Sequence, residues 1–236
     1  MTHPTRLAPA DGRRPGWIGE IRRDGPRLLG GAVAVYAFLA VVGLILTRVI
    51  EHSVLARTDT QVSRWFFEQR TPTLNTLTHD GCMLSDTNTA LALTFVLVVG
   101  LRLWLGRWRE SVAIFVSICG ELFIFVLVTA TVHRARPTVP HLDPAPPTSS
   151  FPSGHTGAAV ALYIGLAVIL LVLTRDAPRR AYVVVVSVLL AAVPVIVGVS
   201  RLYRGMHFLT DVIAGALAGG LWTAIVLATL LRPAAR

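Results

Sequence analysis

Six apolar runs, each near the ~20 residues that a bilayer requires, succeed one another along the chain. They are Leu28–Ile50, Thr87–Leu105, Ser111–Val132, Thr156–Thr174, Ala181–Val199 and Phe208–Leu231. In hydrocarbon a backbone must satisfy its own N–H and C=O groups, so runs of this length fold as helices. The expected fold is therefore all-α: a six-transmembrane-helix bundle with an external interfacial helical segment between the first and second spans. At 53% hydrophobic and 15% charged over 236 residues, the chain is too apolar for an ordinary soluble domain. Pro194 interrupts the fifth run, where neighbouring helices can satisfy the freed carbonyl. The small residues from Gly215 to Gly220 in the sixth predict a close helix–helix contact.

The charges set the orientation. All 22 basic residues are Arg and the net charge is +9. They form no basic stripe with interleaved aromatics, so the sequence points to a membrane partner and not to nucleic acid. Residues 1–27, rich in Pro, Gly and Arg, read as a flexible cytoplasmic tail, and the run that follows is too long for a signal-peptide core. Alternating six spans puts 14 arginines on the side of both termini and eight on the other, so the termini are expected in the cytoplasm. The external segment 51–86 holds Trp65, Phe66 and Phe67 beside Arg64 and Glu68, and the stretch Ser63–Gln69 predicts an interfacial helix. Thr71 and Pro72 predict the cap and first turn of another. Cys82 and Cys119 fall on different levels of this topology and predict no disulfide.

Three polar clusters interrupt the apolar sequence, and all three fall on the external side. They are His133-Arg134-Ala135-Arg136-Pro137, Pro152-Ser153-Gly154-His155, and the stretch Ser200–Asp211. Charged groups near a bilayer are expensive unless they pair or serve a ligand. Arg136 and Arg201 offer forked donors, Ser153 and Gly154 add neutral ones, and a helix starting near Gly154 would favour an anion. Together these make a pocket for a tetrahedral oxyanion. His207 has Asp211 four residues on, one helical turn away, where a carboxylate can orient the imidazole. The economical assignment makes His207 a nucleophile, Asp211 its orienter and His155 the general acid. No Cys/His/Glu pattern for a metal is present, and no metal or other cofactor is expected.

Arg136-Pro137, Pro152-Ser153-Gly154-His155 and S-R-x5-H-x3-D over 200–211 resemble the three signatures of the type-2 phosphatidic acid phosphatase superfamily. The resemblance spans about residues 129–211. It implies phosphate contacts from Arg136, Ser153, Gly154 and Arg201, an acid at His155, and a phosphohistidine on His207 oriented by Asp211. The family's first signature opens with a Lys seven residues before its Arg, and here that position is Thr129. Its hydroxyl is the expected replacement, with Arg134 or His133 supplying charge nearby.

The resemblance implies a metal-independent phosphatase domain over 28–232, hydrolysing a lipid phosphate or polyprenyl diphosphate at the external leaflet of the plasma membrane. Phosphatidic acid and phosphatidylglycerol phosphate present the same phosphoryl group, and the motifs choose neither among these lipids nor an oligomeric state. A phosphoryl or headgroup transferase and a non-catalytic anion transporter remain open on the same residues. Glu121, mid-span, faces either the bundle or a path through it. Tyr203 and Arg204 are positioned to meet a headgroup, or Arg204 to meet water, and His141 reads as loop.

Overall fold

The computed structural model describes residues 17–49, 53–178 and 180–232. Its helices are α1 (Trp17–Arg48), α2 (Val54–Glu68), α3 (Pro72–Met83), α4 (Thr87–Leu105), α5 (Arg109–Thr131), α6 (Gly154–Ala159), α7 (Gly165–Leu173), α8 (Arg180–Tyr203) and α9 (Leu209–Leu230). A π-helical segment, Val160–Ile164, joins α6 to α7, so these three make one continuous rod. The rod and helices α1, α4, α5, α8 and α9 give six membrane-spanning lengths, and the protein is a multi-pass membrane protein. The outer faces of these spans expose Phe95, Leu103, Val188 and Leu189 to the bilayer.

Local chemistry starts and stops the helices. Ser53 Oγ accepts from Ala56 N at α2 and Thr71 Oγ1 from Leu74 N at α3, whose first residue is Pro72. Asp86 caps α4 through Asn88 N, and Gly106, at φ 67°, ends it in the left-handed conformation. Along α5, Ile114, Ser117, Ile118, Glu121, Ile124 and Val128 are buried at helical spacing, so one stripe faces the core.

α9 lies at the centre, packed by α1, α5 and α6, while α4 lies outside α5 and α8 lies against α7 and α3. The small residues of α9 set its distance to α6. A Cβ at Gly215 would stand 2.3 Å from the Ser153 carbonyl oxygen, and one at Gly219 would stand 2.3 Å from that of Gly157. Nothing larger than glycine fits either place without moving backbone. Trp222 of α9 fills the neighbouring space, donating its Nε1–H to the Val116 carbonyl at 3.1 Å.

Several boundaries differ from the sequence expectation. The first helix begins upstream of Leu28: Trp17–Arg27 of the expected tail is helical and runs through Pro26, and the rest of that tail lies outside the described residues. The segment lacks an apolar period, but Asp24 pairs with Arg23 and Arg27 along the helix surface. The interfacial helix is also longer, because Ser53 moves its start back to Val54. The fifth span continues to Tyr203 and carries Arg201 into its last turn. Cys82 and Cys119 are not bonded to each other.

Candidate active site

The three polar clusters meet at one end of the bundle. The segment leaving α5 and the one entering α6 are held together by main-chain and serine bonds. Ser150 N donates to the Arg134 carbonyl, Ser150 Oγ to the Ala135 carbonyl, and Arg134 N to Ser149 Oγ. Ser153 N then donates to the Asp211 carbonyl at 2.9 Å, which ties the P-S-G-H turn to the first turn of α9. Ser153 is the residue before α6, and its hydroxyl meets that of Thr156 at 3.0 Å. Gly154 packs its Cα against the Phe125 ring, where a Cβ would stand 2.9 Å away. His155 is half-buried on the first turn of α6.

His207 is buried in the short link before α9 and not on the helix itself. Its Nδ1 lies 2.7 Å from the Ser150 carbonyl oxygen. A carbonyl can only accept, so Nδ1 carries the proton and Nε2 carries the lone pair. This corrects the expected His207–Asp211 bond. Asp211 is the third residue of α9, and its Oδ2 accepts from Phe208 N at 2.9 Å, leaving it 3.9 Å from His207 Nδ1. Phe208 N, at the residue before the helix, is a donor that the helix leaves unpaired, and this main-chain group takes the carboxylate first. Burial, then Arg201 and Arg136, hold the His207 imidazolium well below its usual range, so the ring is neutral at ordinary pH.

Arg136 and Arg201 approach from different elements. Arg136 donates Nη1–H to the Met206 carbonyl at 2.8 Å, and Arg201 donates Nη1–H to Asp143 Oδ2 at 3.2 Å. Among the described residues the Nε–H of each is buried without a partner. Buried donors are normally satisfied, and two orphans beside one histidine indicate a place for an acceptor. Both guanidiniums act on His207.

Thr129 does not join them. Its hydroxyl faces the Phe125 and Val126 carbonyls of its own helix at 3.1 and 3.0 Å. A threonine side chain is too short to reach beyond its own turn, where a lysine would extend past it. Arg134 does not replace the missing cation either. It donates to Asp211 Oδ1 at 2.5 Å, to Thr210 Oγ1 at 2.7 Å and to Asp59 Oδ2 at 2.8 Å, and its guanidinium covers the Phe208 ring. His133 is exposed.

Tyr203 and Arg204 are buried, against the expectation of headgroup contact. Arg204 grips Asp143 through Nε and Nη2 at 2.8 and 2.6 Å and donates to the Asn75 carbonyl. The Tyr203 hydroxyl accepts from Thr71 N and donates to Asn75 Oδ1. Arg70 donates to the Tyr203 and Pro140 carbonyls, so α3, α8 and the loop from Pro137 to Pro152 form one block. Gly205 permits this: at φ 73° it turns the chain, and a Cβ there would stand 2.9 Å from Arg70. Burial raises the Asp143 pKa, but Arg204 and then Arg201 outweigh it and hold the carboxyl below its usual range. Glu121 is buried and faces the bundle, its Oε1 lying where a Cβ of residue 157 would stand. Among the described residues no three His, Cys, Asp or Glu side chains gather as a metal site would need.

Asp59, Thr210 and Asp143 were missed in the sequence. Asp59 and Ser63 of α2 are buried one turn apart, and that polar pair within an otherwise amphipathic helix was the available signal. Asp143 sits among prolines and carried none.

A family model described as the PAP2 superfamily matches residues 110–233. Phosphatidylglycerophosphatase B of Bacillus subtilis (strain 168) is 29% identical over 181 residues, 75% of this chain and 85% of the relative. The crystal structure of a transmembrane PAP2-type phosphatidylglycerolphosphate phosphatase from Bacillus subtilis superposes with a TM-score of 0.71 at 23% identity, over 83% of this chain and 93% of the other. Aquifex aeolicus LpxE superposes with a TM-score of 0.55 at 22% identity, over 71% and 93%.

Proposed function

The chain belongs to the PAP2 superfamily, and from that membership we propose an integral membrane hydrolase that removes the terminal phosphate of a lipid phosphate or diphosphate at the external leaflet. The observation that carries the reading is the state of His207. It is buried and neutral, its Nδ1–H is bound by the Ser150 carbonyl, and its Nε2 lone pair is left to attack. The phosphoryl group lies between Arg136 and Arg201, whose orphan Nε–H groups bind its oxygens, with Ser153 and the Gly154 N–H completing the cradle.

Nε2 of His207 attacks phosphorus, and the bond from phosphorus to the lipid oxygen breaks. His155 serves as the general acid and delivers a proton to that oxygen. The imidazole is then an Nε2-phosphohistidine with positive charge, which Asp211 stabilises from 3.9 Å. Water attacks phosphorus as His155 takes its proton, the phosphorus–Nε2 bond breaks with the electron pair returning to His207, and inorganic phosphate leaves. Charge on the transferring group is met by arginine, without a metal ion. Relatives described as phosphatases of phosphatidylglycerophosphate support a glycerophospholipid phosphate as the first substrate to try.

Purified protein in detergent with EDTA, given phosphatidylglycerol phosphate, phosphatidic acid and a polyprenyl diphosphate, tests this directly. Phosphate release from at least one, inhibited by vanadate and lost in His207→Ala, is the expected result. A strict requirement for a divalent metal, or full turnover in His207→Ala, would overturn the mechanism.

A further inference from the structure

The helix that lies at the membrane surface also holds the catalytic end of α9. Asp59 of α2 is 1% exposed although its helix exposes Trp65 and Phe67 at the surface. A carboxylate so placed is costly unless saturated, and this one is. Asp59 Oδ1 accepts from Thr210 N at 3.0 Å, while Oδ2 accepts from Thr210 Oγ1 at 2.5 Å and from Arg134 Nη2 at 2.8 Å. Thr210 N is one of the first-turn donors of α9 that the helix cannot satisfy internally, and the residue before the helix is Phe208, which has no side-chain acceptor. Asp59 therefore supplies, from a different helix, the cap that the local sequence lacks.

The charge balance matters as much as the cap. Arg134 stands between two buried carboxylates, donating to Asp59 with one amino group and to Asp211 with the other. The set of three carries one net negative charge next to His207. Because Arg134 is shared, it does not cancel Asp211, and Asp211 Oδ2 still faces His207 Nδ1 at 3.9 Å. With Asp59 neutral, Arg134 would belong to Asp211 alone, and the positive charge that forms on a phosphorylated imidazole would lose its counterion. The anionic substrate gains nothing from these carboxylates.

We propose that Asp59 is a positioning residue for the phosphoryl-transfer step, acting through Arg134, Thr210 and Asp211 to hold and electrostatically support His207. The inference rests on the hydrolase reading above. It predicts loss in kcat with little change in binding, because the phosphate cradle of Arg136 and Arg201 is a separate set of residues.

The test is steady-state kinetics and vanadate inhibition of wild type, Asp59→Asn and Asp59→Glu in the same detergent, with the thermal midpoint of each. In Asp59→Asn, kcat falls about 10- to 100-fold, the scale of a misplaced catalytic group. KM and the vanadate inhibition constant stay within about twofold, which marks a loss confined to the transition state. Asp59→Glu, which keeps the charge one methylene further out, recovers part of the loss. Unchanged kcat in Asp59→Asn, or a rise in KM and in the vanadate constant matching the lost kcat/KM, overturns the inference. If Asp59→Asn does not fold, Thr210→Val, which removes one bond to Asp59, is read by the same criteria. A wild type that releases no phosphate from any lipid sinks the hydrolase reading itself. A wild type that turns over, with Asp59→Asn keeping pace, removes this inference alone.

Discussion

At the residue scale, the proposed mechanism depends on a histidine that stays neutral although two arginines lie near it. Burial, then Arg201 and Arg136, push the His207 pKa well below the ordinary 6.5. The nucleophilic form is therefore retained as pH falls through 6.5, and the acid limb of kcat/KM assigned to His207 should lie below that value. Replacing Arg136 by Gln removes one of the opposing charges and should move the limb upward, read from the pH profile of each protein. An identical limb in both would mean that Arg136 does not act on the ring. The same shift enters stability. Below 6.5 the unfolded chain binds a proton at this position that the folded chain refuses, so His207 makes the fold less stable as pH falls from 6.5 towards its folded pKa. The residue chemistry was legible where motif spacing carries it: Arg136, Ser153, His155, Arg201, His207 and Asp211 all reach one end of the bundle. Thr129 was misjudged, because spacing tells which residue occupies a position and not how far its side chain reaches.

At the element scale, the position of the P-S-G-H turn is decided by how closely α6 approaches α9. The approach is set by Gly215 and Gly219, whose Cα atoms face the carbonyls of Ser153 and Gly157. Gly220, by contrast, would place a Cβ 3.9 Å from a Val160 methyl, an ordinary contact. Gly219→Ala should therefore cost about 1–3 kcal/mol through overpacking, while Gly220→Ala should leave the thermal midpoint in detergent nearly unchanged. Equal midpoints for both variants would mean that the helices separate freely at this crossing. The small-residue stretch was legible as a packing face. The π-helical segment at Val160–Ile164 was not, because its apolar residues fit an α-helix equally well.

At the scale of the whole molecule, the site lies at the end of the bundle formed by the C-termini of α5 and α8 and the N-termini of α6 and α9. In the topology proposed from the arginine distribution, that end faces outside the cell. In a background lacking Cys82 and Cys119, an impermeant maleimide should label Thr73→Cys in intact cells and spare Arg175→Cys until the membrane is opened. Both positions are exposed, on opposite sides of the proposed topology. The reverse pattern would move the reaction to the cytoplasmic leaflet. The sequence by itself determined the six spans, the two helices between the first and second of them, and the polar motifs whose side chains meet at one end of the bundle. Each follows from hydrophobic length, cap chemistry or motif spacing, which are local properties of the chain. Only the tertiary structure decided how those side chains are held. Ser150, not Asp211, binds His207 Nδ1, and Asp143 bridges Arg201 to Arg204. Asp59, 151 residues from Thr210, caps the helix that follows His207. Such partnerships join groups distant in sequence, and what selects them is the cost of leaving a buried charge or helix end unpaired, which appears only once the helices are packed.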